Sequence, residues 1–113
     1  MRLEARKYLT DIQAAAERIA RFTQGKRFEQ YLGDEILRSA VERQFGIVGE
    51  ALSRLVKDSP DIAAAIPDHA KIIGFRNILV HGYASVDDRL VWGVIENHLG
   101  PLRKAVAELL ATK

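Results

Sequence analysis

Apolar residues recur every three or four positions along most of this chain, and that spacing predicts helices. Between Leu3 and Thr23 the stripe Leu9, Ile12, Ala16, Ile19 runs with Glu17, Arg18 and Arg21 placed off it, as in an amphipathic helix with one buried face. Gln24-Gly25-Lys26 breaks the pattern, and Arg27 to Leu32 has room for a short turn of helix whose aromatics cover one end of the core. The alternative use of those aromatic and basic residues is an RNA-stacking platform. Asp34 carries a side chain suited to the free amides of the next helix, which runs to about Lys57 with Leu37, Val41, Val48, Leu52 and Leu55 inside. Gly46 and Gly49 interrupt it, each costing about 1 kcal/mol relative to alanine. A close approach by another backbone, within the chain or across a dimer, is the expected compensation.

Asp58-Ser59-Pro60-Asp61 reads as a turn, followed by Ile62 to Ile66 as a short apolar helix or extended connection that Pro67 ends. A further helix is expected to start near Asp68. After it, Ser85-Val86-Asp87-Asp88 offers a capping box in which the Ser85 hydroxyl and the Asp88 carboxylate satisfy free amides of the last helix. Val91, Val94, Ile95, Leu102, Val106 and Leu109 line that helix to the end. Gly100 and Pro101 predict a kink in it or a break into two pieces. No stretch alternates as a strand would, so residues 1–113 are expected to form a single all-α domain, an up-and-down bundle of four main helices.

Within that pattern one stretch is chemically crowded: Arg76-Asn77-Ile78-Leu79-Val80-His81-Gly82-Tyr83. The preceding Lys71-Ile72-Ile73-Gly74-Phe75 and then Ile78-Leu79-Val80 are apolar enough to predict a mostly buried helix, whose polar residues then need a reason. Asn77 and His81, four apart, share a face. Arg76, five residues before His81, lies about 140° away around an ideal helix, so the two side chains flank a site. Gly82 is expected to end the helix in the left-handed conformation and leave His81 and Tyr83 at an open terminus. One helix earlier, Arg43 and Glu50 stand seven apart on one face with Gly46 between them, placed either to line that site or simply to face solvent.

The arrangement of an Arg followed by Asn, then His five residues after the Arg, then Gly and Tyr resembles the signature of HEPN-domain toxins of the HepT type. These are small all-helical ribonucleases that act beside a minimal nucleotidyltransferase antitoxin. The resemblance extends over most of the chain: Glu42-Arg43 and Val48-Gly49-Glu50-Ala51 are similar to the family's second helix, and four helices in about this length match its core. It implies an endoribonuclease toxin working as a homodimer on RNA, with Arg76 and His81 catalytic and Asn77, Glu50 and Arg43 supporting. It further implies that the antitoxin neutralises the toxin by adenylylating Tyr83. A histidine can move protons at a ribose 2′-hydroxyl or a leaving 5′-oxygen, and an arginine can hold the extra charge of the phosphorane, so no metal is needed. One histidine per chain cannot serve as acid and base at once, whereas two copies about a twofold axis can. The rival reading is a noncatalytic helical dimer that binds a nucleotide or a protein, with Arg76 on phosphate and His81 structural.

Composition narrows the alternatives. The chain has 113 residues, a formal charge of +2 and a pI near 9.1, a small basic surplus rather than a basic tail. It has no cysteine, and His69, His81 and His98 lack the spacing of a zinc site, so neither metal nor cofactor is expected. His69 and His98 read as surface or packing residues. The charged start Met1 to Lys7 does not suit a signal peptide, and no apolar run approaches the roughly 20 residues that span a bilayer. The cytoplasm, with no membrane partner, is the expected location.

Overall fold

Two long amphipathic helices set the architecture, α1 (Leu3–Thr23) and α3 (Glu35–Asp58), packed against each other along their apolar stripes. The computed structural model of the chain describes residues 1–112 and, at Tyr83, the backbone alone. Between the long helices comes the short α2 (Phe28–Leu32), and after them α4 (Pro60–Ala64), α5 (His69–His81), α6 (Asp88–Asn97) and α7 (Leu99–Ala111). A 3-10 turn, Tyr83–Ser85, joins α5 to α6. No strand occurs among the described residues. α5 lies against α3 and α7 against α1, so α5, α3, α1 and the α6–α7 pair are the four main members of the bundle.

The stripe residues Leu9, Ile12, Ala16 and Ile19 are fully buried, as are Val41, Val48, Leu52 and Leu55 of α3. Phe45 joins them and meets Phe75 of α5 edge-on, with centroids 5.1 Å apart at 86°, a favoured aromatic geometry that fixes α5 on α3. Asp34 caps α3 as its residue type predicts, its Oδ1 accepting from the Leu37 amide at 3.0 Å. Arg6 reaches from α1 to the far end of α7 and donates to the carbonyls of Leu110 and Thr112 at 3.1 and 3.0 Å, satisfying acceptors that a helix end leaves open. Tyr31 closes one end of the core beside Trp92, centroids 5.3 Å apart, and the ring of Phe28 carries the Arg89 guanidinium 4.6 Å above it.

Several local expectations are corrected. The last helix begins at Asp88 with Asp87, not Ser85, as its cap: the Asp87 carboxylate accepts from the Arg89 amide at 2.9 Å, while Ser85 belongs to the 3-10 turn. Both residues have the right chemistry, and the turn that follows α5 consumes the first. The break expected near Gly100 and Pro101 is present, and it falls at His98, three residues before the proline. Its position follows from the proline, whose ring would clash with the carbonyl of Asn97 in a continuous helix but is accommodated in the first turn of a new one. Gly82 is not left-handed (φ −109°); its amide bonds the Ile78 carbonyl at 2.7 Å, and a Cβ there would lie 2.9 Å from the same oxygen. Close approach, not backbone handedness, calls for glycine at this end of α5. The left-handed residue is Asp68 (φ 57°) at the other end, whose carboxylate meets His98 Nδ1 at 3.2 Å.

α5 itself is less buried than its composition suggests. Only Ile72, Phe75 and Leu79 enter the core, while Ile78 and Val80 remain 49% and 44% exposed. Apolar residues occupy all sides of this helix, and its main packing partner within the chain is α3.

Candidate active-site cleft

Arg76 leaves α5 across the surface of α3, and its path depends on Gly49. A Cβ placed on Gly49 would lie 2.2 Å from Arg76 Cβ and 2.4 Å from its Cγ, so the aliphatic stem of the arginine occupies the space that any side chain at 49 would take. Within the chain, the close approach expected of the glycine pair is therefore made by a side chain, not by another backbone, and at Gly49 alone. An added Cβ at Gly46 meets nothing within 4 Å.

Seated on Gly49, the guanidinium is held at both tips. Its Nη2 donates to Glu50 Oε2 at 2.7 Å and its Nη1 to Asn77 Oδ1 at 3.1 Å. The other Glu50 oxygen accepts from Arg54 Nε at 3.0 Å, so two guanidinium groups share one carboxylate and the trio keeps a net positive charge. Arg76 Nε is buried without a partner, which leaves the two terminal nitrogens as the donors that a ligand can reach. The Arg76 side chain is 23% exposed, enough to meet an anion and little enough for α3 to fix its direction.

This group borders a cleft of about 500 Å³ between α1, α3 and α5. Arg43, Glu50 and Arg76 line it together, with Arg43 also exposed to solvent, and Asn77 joins through its bond to Arg76. Lys7, Tyr8 and Arg54 also line it, and none of these was singled out in the sequence. Arg54 had a readable signal, since it stands one helical turn after Glu50 on the same helix. Lys7 and Tyr8 had none, because only the packing of α1 on α3 brings them here.

His81 does not line the cleft: it is exposed, and it closes α5 beside Gly82. A single chain thus turns Arg76 onto its own α3 and presents His81 outward on the same helix. Tyr83 follows by two residues, with its side chain outside the described part of the structure. Groups of three or more potential metal ligands are absent among the described residues, and no helix there is long and apolar enough to cross a membrane.

Comparison with known proteins identifies the family. The family model described as Ribonuclease HepT-like matches residues 12–109. A protein of Caldanaerobacter subterraneus subsp. tengcongensis named as a candidate RNase is 32% identical over 105 residues, 93% of each chain. A candidate ribonuclease HepT of Thermococcus cleftensis is 32% identical over 103 residues, 91% of this chain and 93% of its own. A candidate RNase of Methanocaldococcus jannaschii is 27% identical over 103 residues, 91% of this chain and 94% of its own. No solved structure gives a significant match. With the family model covering most of the chain and the motif arginine seated where a phosphate can reach it, the chain belongs to the HepT-like ribonuclease family.

Proposed function

We propose that this protein is an endoribonuclease that cleaves RNA as a homodimer and needs no metal ion. The observation that carries the reading is the seating of Arg76 on Gly49, with its outer nitrogens aimed by Glu50 and Asn77, in a chain of this family. In the reaction, His81 of one copy takes the proton of a ribose 2′-hydroxyl, and the freed oxygen attacks the adjacent phosphorus. Arg76 stabilises the doubly charged phosphorane through its terminal N–H groups. The bond to the 5′-oxygen breaks, and His81 of the second copy delivers a proton to that leaving oxygen, giving a 2′,3′-cyclic phosphate and a 5′-hydroxyl.

The second copy is supported by the surface of α5. Ile78, Gly74 and Lys71 form one wall of a groove of about 380 Å³, and Leu90 and Val94 of α6 form the other. Ile78 and Leu90 are 49% and 42% exposed, and a partner packed there would lie alongside the helix face that carries Asn77 and His81. Regulation follows the resemblance: the protein acts as the toxin of a pair, and a nucleotidyltransferase antitoxin adenylylates Tyr83. The added phosphates would compete for the arginine meant for RNA.

The deciding measurement is RNA cleavage in the presence of EDTA by wild type, Arg76→Ala and His81→Ala, with folding followed by circular dichroism and mass by sedimentation. Cleavage that both variants lose while folded and dimeric supports the enzyme. A dimer that leaves cellular RNA intact points to the noncatalytic module. Mass spectrometry after incubation with the antitoxin and ATP tests the modification, which Tyr83→Phe should abolish.

A further inference from the structure

Arg76 uses only one edge of the cleft it borders, and the rest of that cleft is furnished. Its volume, about 500 Å³, falls among sites that hold small molecules, commonly about 300–1,000 Å³. On the α1 side stands Tyr8, half-buried against the core, with the Lys7 ammonium 5.8 Å from the centre of its ring. On the α3 side, Gly46 leaves a bare patch of helix surface where a Cβ would meet nothing within 4 Å. A glycine inside a helix lowers its stability relative to alanine, and no neighbour here compensates. The missing side chain leaves bare helix surface lining the same cleft as an aromatic ring.

The charges are arranged to match. Lys7 is closed onto Asp11 at 3.3 Å, and Arg54 shares Glu50 with Arg76. Arg43, one helical turn from Gly46, is exposed and pairs with no carboxylate among the described residues. A guanidinium left open at the rim, beside a slot lined by an aromatic ring and bare helix surface, fits a nucleotide: a planar base in the slot and a phosphate outside it.

We propose that the cleft between α1, α3 and α5 is a nucleotide subsite, which takes the nucleotide next to the phosphate held by Arg76. Its base lies between Tyr8 and the bare surface at Gly46, and its outer phosphate rests on Arg43. This rests on the ribonuclease reading and adds to it the place where single-stranded RNA is gripped beside the cut bond. Tyr8, Gly46 and Arg43 are then substrate-positioning residues, felt in binding more than in the chemical step.

The experiment measures kcat and KM separately on a short single-stranded oligoribonucleotide containing one cleaved bond. Gly46→Leu fills the slot from open space and improves helix propensity, so its thermal midpoint should equal or exceed that of wild type. Its KM should nevertheless rise at least about tenfold, within the roughly 5- to 160-fold that loss of one stacked base corresponds to, with kcat within about twofold. Arg43→Gln should raise KM and lower the slope of log KM against log salt by about 0.7, the value for one phosphate of a single strand. Tyr8→Leu, which keeps the half-buried apolar contact, should raise KM as Gly46→Leu does. Active wild type with unchanged KM in folded Gly46→Leu and Arg43→Gln overturns the subsite and leaves the ribonuclease standing. Wild type that cleaves no RNA overturns the ribonuclease reading and the subsite together. If Gly46→Leu does not fold, the salt slope of Arg43→Gln decides alone.

Discussion

Gly49→Ala is the sharpest probe of how this fold makes its site, because it adds one methyl group and no charge. That methyl would stand 2.2 Å from Arg76 Cβ and 2.4 Å from Cγ. Carbon atoms settle at about 3.5–4.0 Å, so the overlap is at least about 1.3 Å. Because Cβ is fixed to the backbone of α5, changing the arginine rotamer cannot relieve it; the helix itself must back away from α3. Overpacking of this kind costs about 1–3 kcal/mol, and alanine returns about 1 kcal/mol of helix propensity. The net loss, about 0–2 kcal/mol, is small beside the roughly 5–15 kcal/mol that holds a typical domain together. The protein should therefore stay folded while the guanidinium moves by about 1 Å away from Glu50. A shift of that size at a reacting centre is worth about 100-fold in rate. The assay is RNA cleavage under single-turnover conditions, with circular dichroism and a thermal melt on the same sample. Wild-type cleavage by Gly49→Ala would refute the claim that the glycine seats the arginine.

Three further outcomes are expected. Arg76→Lys should recover little of the activity lost in Arg76→Ala, since a single ammonium cannot meet Glu50, Asn77 and a phosphate at once; equal rates for Lys and Arg would show that charge alone matters. Asp34→Ala should lower stability by about 1 kcal/mol in a denaturant titration through loss of the α3 cap, with cleavage per folded molecule unchanged. Burial first, and then the Asp88 carboxylate, push the Glu42 carboxyl above its ordinary range, with Arg38 opposing. Folding therefore favours the protonated form: this site supports the fold at pH below the unfolded carboxyl value, and that support is lost as pH rises through the raised folded value. Glu42→Gln should melt higher than wild type at neutral pH, with the gap closing as pH falls below about 4; a gap independent of pH would contradict the assignment.

What could be read from sequence and what could not divides along the range of the interactions. The extent of α1, the Asp34 cap and the buried stripes of α1 and α3 follow from periodicities and side chains within a few residues of each other. The choice of Asp87 over Ser85 as a cap was not readable, since both carry suitable oxygens and only the turn after α5 selects between them. At Gly49 the sequence announced that something comes close, but the visitor stands 27 positions later, and nothing local names it. The same holds for the Glu50–Arg76 pair, 26 positions apart, and for Tyr8 and Lys7, brought to the cleft by α1. The face that α5 buries was hidden for a different reason: the helix is apolar on every side, so its periodicity points nowhere.

That evenness of α5 ties the fold to the chemistry. A helix that belongs to one core needs one apolar stripe, and Ile72, Phe75 and Leu79 supply it. Ile78 and Val80 lie outside that stripe and stay 49% and 44% exposed, Val80 at the cleft and Ile78 in the groove beside α6. On the same helix, Arg76 turns toward its own α3 while His81 faces away from the cleft. In-line cleavage with an acid and a base needs two proton carriers near one phosphate, and this chain offers its motif histidine once. If a second copy covers the exposed face of α5, the apolar surplus and the missing histidine have one explanation, because the contact that buries Ile78 also brings the partner's outward face of α5 toward the first. Substituting Ile78 with a charged residue should then separate the chains and abolish cleavage together while Arg76 and Glu50 remain paired, and sedimentation showing an active monomer would break that link.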